Sequence, residues 1–137
     1  MALRTPDEYR NSLRDGRHIY MLGEKVADVT AHPLLKVAVE TVAQDFALTE
    51  SKDSEIRDLF VAIDDETGES MSRFFKTPGN AGDLEKRSEM IGRSIRLTGG
   101  LPFGKDVGTD CLNAIMVVAD QMGNEEYKER ARNYLRF

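Results

Sequence analysis

A chain of 137 residues, 40% hydrophobic and 31% charged, holds enough material for one domain with a real core and too little for two. Its net charge of −5 speaks against a nucleic-acid-binding module, which carries a basic balance, and no apolar run approaches the roughly 20 residues that span a bilayer. A polar start, one cysteine (Cys111) and two distant histidines (His18 and His32) add the expectation of no signal peptide, no internal disulfide and no metal constellation, hence a cytoplasmic, acidic, single-domain protein.

In chain order, Thr5-Pro6-Asp7-Glu8 reads as a helix start. Thr5 is the N-cap, Pro6 takes the first helical position, and Glu8 completes a capping box. That helix is expected to end near Asp15, with Gly16 as the left-handed residue beyond it. Residues 18–21 and 25–26 flank Leu22-Gly23-Glu24 as a short hairpin. Leu35, Val39, Val42 and Phe46 recur at helical spacing and predict an amphipathic helix to about Leu48, with His32-Pro33 as its entry and Pro33 at the first helical position. Residues 50–58 are polar and read as a loop. Residues 59–63 are rich in β-formers and are expected to pair with residues 69–75.

Pro78-Gly79 punctuates the chain. A helix over residues 81–97 follows, with Leu84, Ile91 and Ile95 taken as its apolar face. The glycine-rich stretch 98–104 breaks it, and a helix over residues 108–122 comes next. The run Leu112 to Ala119 is apolar nearly all round, which predicts burial on every side. A last charged helix covers residues 125–137, with Tyr127, Ala131, Tyr134 and Leu135 as contacts. The expected fold is mainly α with one or two short β-hairpins.

The order Tyr9-Arg10-Asn11-Ser12-Leu13-Arg14-Asp15-Gly16-Arg17, then Tyr20, Gly23-Glu24-Lys25-Val26, Asp28-Val29-Thr30 and His32-Pro33 resembles the opening of the 4-hydroxyphenylacetate 3-hydroxylase / 4-hydroxybutyryl-CoA dehydratase flavoprotein family. Further on, Asp83-Leu84, Thr98-Gly99-Gly100 and Gly108-Thr109-Asp110-Cys111-Leu112-Asn113-Ala114 resemble a later family helix, its glycine-rich turn and the helix that follows. The resemblance covers essentially the whole chain. It implies a helical N-terminal domain similar to that of acyl-CoA dehydrogenase-like flavoproteins, with the family's central β-domain and C-terminal helical domain missing from residues 1–137. It also implies FAD or FMN in an assembled complex, held mostly by a flavin-holding large subunit.

Two departures bear on the chemistry. The dehydratase branch places two iron–sulfur cysteines in the glycine-rich turn, where this chain matches them with Pro102 and Asp106; no cluster is therefore expected on this chain. The hydroxylases offer an arginine and then a tyrosine to a phenolic oxygen, where this chain has Lys105 and Cys111. A lysine holds an anionic oxygen without bidentate geometry. The resemblance thus points to Lys105, Asp106, Thr109, Asp110 and Asn113 as the substrate-facing candidates. Each also has a plain reading: Lys105 and Asp106 as a solvated pair, and Asp110 as a favourable charge near a helix start. Cys111 reads as a small buried residue rather than a nucleophile. Gly99, Gly100 and Gly104 either permit a tight turn or line a cleft. Two function classes follow: a small subunit or N-terminal domain of a flavin-dependent oxidoreductase forming one wall of its active-site cleft, or a self-associating helical scaffold without catalysis. A part of a hydroxyacyl-CoA dehydratase-like enzyme is the third option.

Overall fold

The structure, a computed structural model, describes residues 3–100 and 104–136, with backbone alone for 104, 135 and 136. Six helices and two separate two-stranded hairpins make up the described chain. Helix α1 spans Pro6–Ser12. Thr5 Oγ1 accepts from the Glu8 backbone N–H at 3.1 Å and the Glu8 carboxylate accepts from the Thr5 N–H at 2.8 Å, the reciprocal capping box that the sequence predicted. The helix closes earlier than expected, at Leu13, so Gly16 (φ +81°) serves the following loop and not the helix stop.

Strands β1 (Ile19–Met21) and β2 (Glu24–Val26) pair antiparallel with Met21 opposite Glu24. Leu22 and Gly23 between them have φ of +53° and +87°, the signs that a tight two-residue hairpin turn needs. A leucine is strained there, and its side chain is 87% exposed with no packing to offset the strain. Leu22→Gly is expected to raise the unfolding free energy by up to ~1 kcal/mol, read from a denaturant midpoint. An unchanged or lower midpoint would show that the turn is not strained.

Helix α2 (Leu35–Thr49) lies on α1. Arg10 forks onto Glu40 with Nε–Oε1 at 3.1 Å and Nη2–Oε2 at 2.7 Å, and Tyr9 stacks on Phe46 with ring centroids 4.9 Å apart. Arg14 reaches Asp28 and Thr30. Much of the opening motif is therefore a fastener between α1, the loop after β2 and α2. Pro33 lies before the helix instead of at its first position. His32 acts at the entry, its Nδ1 accepting from the Leu34 and Leu35 N–H groups at 3.3 and 3.4 Å.

The expected loop at 50–58 is half helix: α3 runs Ser54–Phe60 from an Asp53 N-cap. Asp53 followed by a short apolar pattern is an N-cap signal that the acidic character of the stretch concealed. Strands β3 (Val61–Ile63) and β4 (Ser70–Ser72) pair with Ala62 opposite Met71, and a 3₁₀ turn at Arg73–Phe75 takes the rest of the expected second strand. Buried Arg73 donates to the carbonyls of Asp58, Leu59 and Val61 at 2.7–2.8 Å, satisfying the acceptors left open where α3 ends.

Helix α4 spans Ala81–Leu97 as predicted; Ile91 and Ile95 of the predicted face are half-buried, and the fully buried positions lie beside them. Arg87, Met90 and Ser94 are buried, whereas Leu84 is exposed. Met90 joins Phe60 and Phe74 in a fully buried cluster, with Leu48, Ile56, Leu59, Phe75 and Ile91 packed round it. Helix α5 spans Gly104–Gln121 and begins a turn earlier than expected; α6 spans Glu125–Arg136. Ile115 and Val118 on α5 are exposed, contrary to the burial expected on every side, as is Met122 just beyond the helix. Within one chain α5 packs mainly on α6 and on the 3₁₀ turn, which leaves that flank uncovered. Tyr127 and Tyr134 of α6 are exposed too, while Ala131 is buried; the Leu135 side chain and Pro102 lie outside the described residues. No described helix is long and apolar enough to cross a membrane.

Candidate functional site

The glycines after α4 are a helix stop. Gly99 (φ +70°) sits one residue beyond the Thr98 cap, and the Gly100 N–H donates to the Ile95 carbonyl at 2.8 Å. That six-to-one bond is the signature of a Schellman motif, which only a residue free to take positive φ forms without strain. The Gly100 N–H is thereby committed to Ile95 and is not a free donor for a flavin diphosphate. Gly123 (φ +63°) and the Asn124 N–H to the Ala119 carbonyl repeat the same stop after α5.

The first half of α5 carries all five residues named from the sequence. Asp106, Thr109 and Asn113 fall at i, i+3 and i+7, and all three are buried, Thr109 against Arg87 of α4 and Asn113 against the 3₁₀ turn. Asn113 accepts from Thr77 Oγ1 at 3.2 Å and donates to the Phe74 carbonyl at 3.4 Å. Thr109 Oγ1 donates to the Lys105 carbonyl at 2.6 Å and accepts from Arg87 at 2.8 Å. Asp110 is half exposed and accepts from Arg87 Nε at 2.6 Å. Cys111 is exposed, against the expectation that it is buried.

Two groups that the sequence reading missed organise this junction. Arg87 on α4 is the first: its guanidinium is buried and meets Asp110, Thr109 and the Phe74 carbonyl (2.9 Å), with a longer bond to the Arg73 carbonyl. One buried arginine thus fastens α4 to α5 and to the 3₁₀ turn. The available signal was the stripe 87/90/91/94, which places an arginine on the apolar face. Asp45 on α2 is the second. It is buried and pairs with the Lys105 ammonium, which also lies 3.7 Å from the Phe46 ring centroid. Burial pushes the Asp45 carboxyl above its ordinary value, and Lys105 opposes that shift. Nothing in the sequence marks Asp45 as the partner of a residue 60 positions later.

Asp106 differs from its neighbours. It is only 3% exposed, and neither carboxylate oxygen meets a hydrogen-bond donor. Burial raises its pKa to about 6; Arg87 opposes the shift, Asp110 and Asp45 add to it, and Lys105 also opposes it. The junction thus brings Lys105, Asp106, Thr109, Asp110 and Asn113 together with Arg87 and Asp45.

A separate open groove of about 470 Å³ lies between the β3–β4 hairpin and α5/α6. Phe75, Met116 and Val117 line it, and its rim charges pair as Lys76–Asp65, Arg132–Glu66 and Lys128–Asp120. None of the five named residues lines it, so concavity and unusual chemistry lie at different places on this chain.

The family model for the 4-hydroxyphenylacetate 3-hydroxylase N terminal matches residues 5–137. The pyoverdin chromophore biosynthetic protein of Pseudomonas aeruginosa is 40% identical over 72% of this chain and 19% of its own length. A 4-hydroxyphenylacetate 3-monooxygenase oxygenase component of Klebsiella oxytoca is 35% identical over 70% of this chain and 18% of its own length. A solved 4-hydroxybutyryl-CoA dehydratase from N. maritimus superposes with a TM-score of 0.79 at 25% identity, over 98% of this chain and 27% of that one. The chain therefore spans about a fifth to a quarter of the length of these relatives.

Proposed function

The chain belongs to the 4-hydroxyphenylacetate 3-hydroxylase N-terminal family, and from that premise we propose that it is the helical small subunit or N-terminal domain of a flavin-dependent oxidoreductase of that kind, working in the cytoplasm. In this reading the α4–α5 junction forms one wall of the active-site cleft. Lys105, Asp106, Thr109, Asp110 and Asn113 face or support the substrate. FAD or FMN, when bound, supplies the redox chemistry and is held mostly by a partner polypeptide. The observation that carries the reading is the match over residues 5–137 to a family whose members named above are nearly four times as long. The exposed Ile115 and Val118, with Met122 just beyond the helix, support it, because an apolar flank of this kind suits cover by another chain.

The junction modifies the part assigned to Lys105. Its ammonium is already neutralised by Asp45, so it meets a substrate oxygen as one half of an ion pair and not as a free cation. A second reading, part of a hydroxyacyl-CoA dehydratase-like enzyme, draws support from the superposition over 98% of the chain.

Co-expression with a flavin-holding family polypeptide is expected to give a yellow complex that turns over phenols. Lys105→Ala in that complex is expected to lower turnover by about tenfold or more, the scale of one charge-assisted hydrogen bond. A colourless homodimer that ignores such a partner would sink the subunit reading in favour of a scaffold, and unchanged kinetics would remove Lys105 from the site.

A further inference from the structure

Three carboxylates and two cations meet where α2, α4 and α5 join: Asp45 from α2, Arg87 from α4, and Lys105, Asp106 and Asp110 from α5. Both cations are committed. Arg87 is held by Asp110, Thr109 and the Phe74 carbonyl, and Lys105 by Asp45 and the Phe46 ring. The 3₁₀ turn sends its arginine elsewhere, since Arg73 donates to the carbonyls at the end of α3. Asp106 is left with neither oxygen hydrogen-bonded, and Asp45 Oδ1 is orphaned as well. A sealed, unpartnered carboxylate is costly as an anion and tolerable as a neutral acid, so the packed junction is short of one positive charge.

The turn that carries Asp106 is also weakly held. Gly108 closes it, yet a Cβ placed there meets nothing within 4 Å and no positive φ calls for a glycine. Packing therefore does not require this glycine, which weakens a helix interior more than any residue but proline. Val107, beside Asp106, is 68% exposed and adds little apolar packing. We propose that residues 104–108 form a proton-controlled catch: with Asp106 neutral the turn stays docked on α2 and α4, and with Asp106 ionised it opens and takes Lys105 away from Asp45. Opening gives the Asp106 carboxylate water and separates it from the Asp45 charge. The direction follows from burial, which raises the Asp106 pKa to about 6 from an ordinary 3.8. The docked turn binds the proton more tightly than the open one, so opening grows as pH rises through that window. The same turn carries Lys105, so pH sets how firmly that lysine is fixed on the α5 wall, whether or not a substrate meets it.

Residue-resolved hydrogen–deuterium exchange on the full chain, at about pH 4.5 and about pH 7.5, tests this. The probes are the amides of residues 108–112, whose helical bonds reach back into the turn. Corrected for intrinsic rates, their protection should fall ~10-fold or more between the two pH values. It should change little in dilute urea, since opening one turn exposes little surface. Asp106→Asn should remove the fall. Gly108→Ala should raise protection about threefold or more at both pH values and leave their ratio unchanged. Equal protection of the wild-type amides at both pH values overturns the proposal, as does an Asp106→Asn chain that keeps the fall. Exchange that steepens with urea as global unfolding does, or a Gly108→Ala chain that protects no better, overturns it too.

Discussion

Asp106→Asn is expected to make the folded chain more stable at neutral pH. The folded-state pKa of Asp106 lies at about 6, above the ordinary value of 3.8. The folded protein therefore binds more protons than the unfolded one between these values, and stability falls as pH rises through that window. Below pH ~4 both states are protonated and Asp106 costs nothing; above pH ~6 the full penalty applies. At ~1.4 kcal/mol per unit, discounted for partial solvent screening, the penalty is about 2 kcal/mol. Asparagine keeps the shape and removes the charge, so its advantage should grow from nil at pH 4 to about 2 kcal/mol at pH 7.5, a few degrees or more in Tm. Urea melts of the two chains across this range would measure it. A constant difference would mean that Asp106 is solvated or paired in solution. A residue held in place at such a cost fits a functional role better than a structural one, since real proteins tend to break local rules where they act.

Arg87→Ala should have the opposite and larger effect. The guanidinium satisfies Thr109, Asp110 and the Phe74 carbonyl within a junction that holds no other described donor for Asp110. Its truncation takes a buried donor from Thr109 and the Phe74 carbonyl, the ion pair from half-exposed Asp110 and the main opposing charge from buried Asp106, together about 3–5 kcal/mol. Total stability of a domain of this kind is ~5–15 kcal/mol, so a loss of that size brings the chain close to unfolding. Arg87→Lys should recover only part of it, because an ammonium does not reproduce three directed contacts on a planar fork. Thermal melts of both variants would decide, and an alanine variant within about 1 kcal/mol of wild type would show that α4 and α5 are held by apolar packing alone.

Local signals told most of the truth about local structure. The Thr5–Glu8 capping box, the hairpin around Leu22-Gly23, the helix over residues 81–97 and the glycine stop after it follow from backbone geometry and short-range bonds, which a sequence displays directly. The same holds for lineage, since the residues from Tyr9 to Pro33 lie on contiguous chain whose side chains meet across α1 and α2. Errors arose where one signal masked another. Acidic residues at 50–58 hid an Asp53-capped helix, and the apolar run from Leu112 to Ala119 suggested burial that a single chain does not provide.

The candidate site was half legible. The sequence by itself determined which five residues to watch, because the family resemblance places them in and just after the glycine-rich turn. Only the tertiary structure decided their partners: Asp45 arrives from α2 to neutralise Lys105, and Arg87 arrives from α4 to take Thr109 and Asp110. Those meetings depend on how three helices pack, and they leave Asp106 buried without a donor. A resemblance can nominate a carboxylate, but its affinity for a proton is set by burial and by charges on other helices, which is why only the fold shows the Asp106 carboxyl raised.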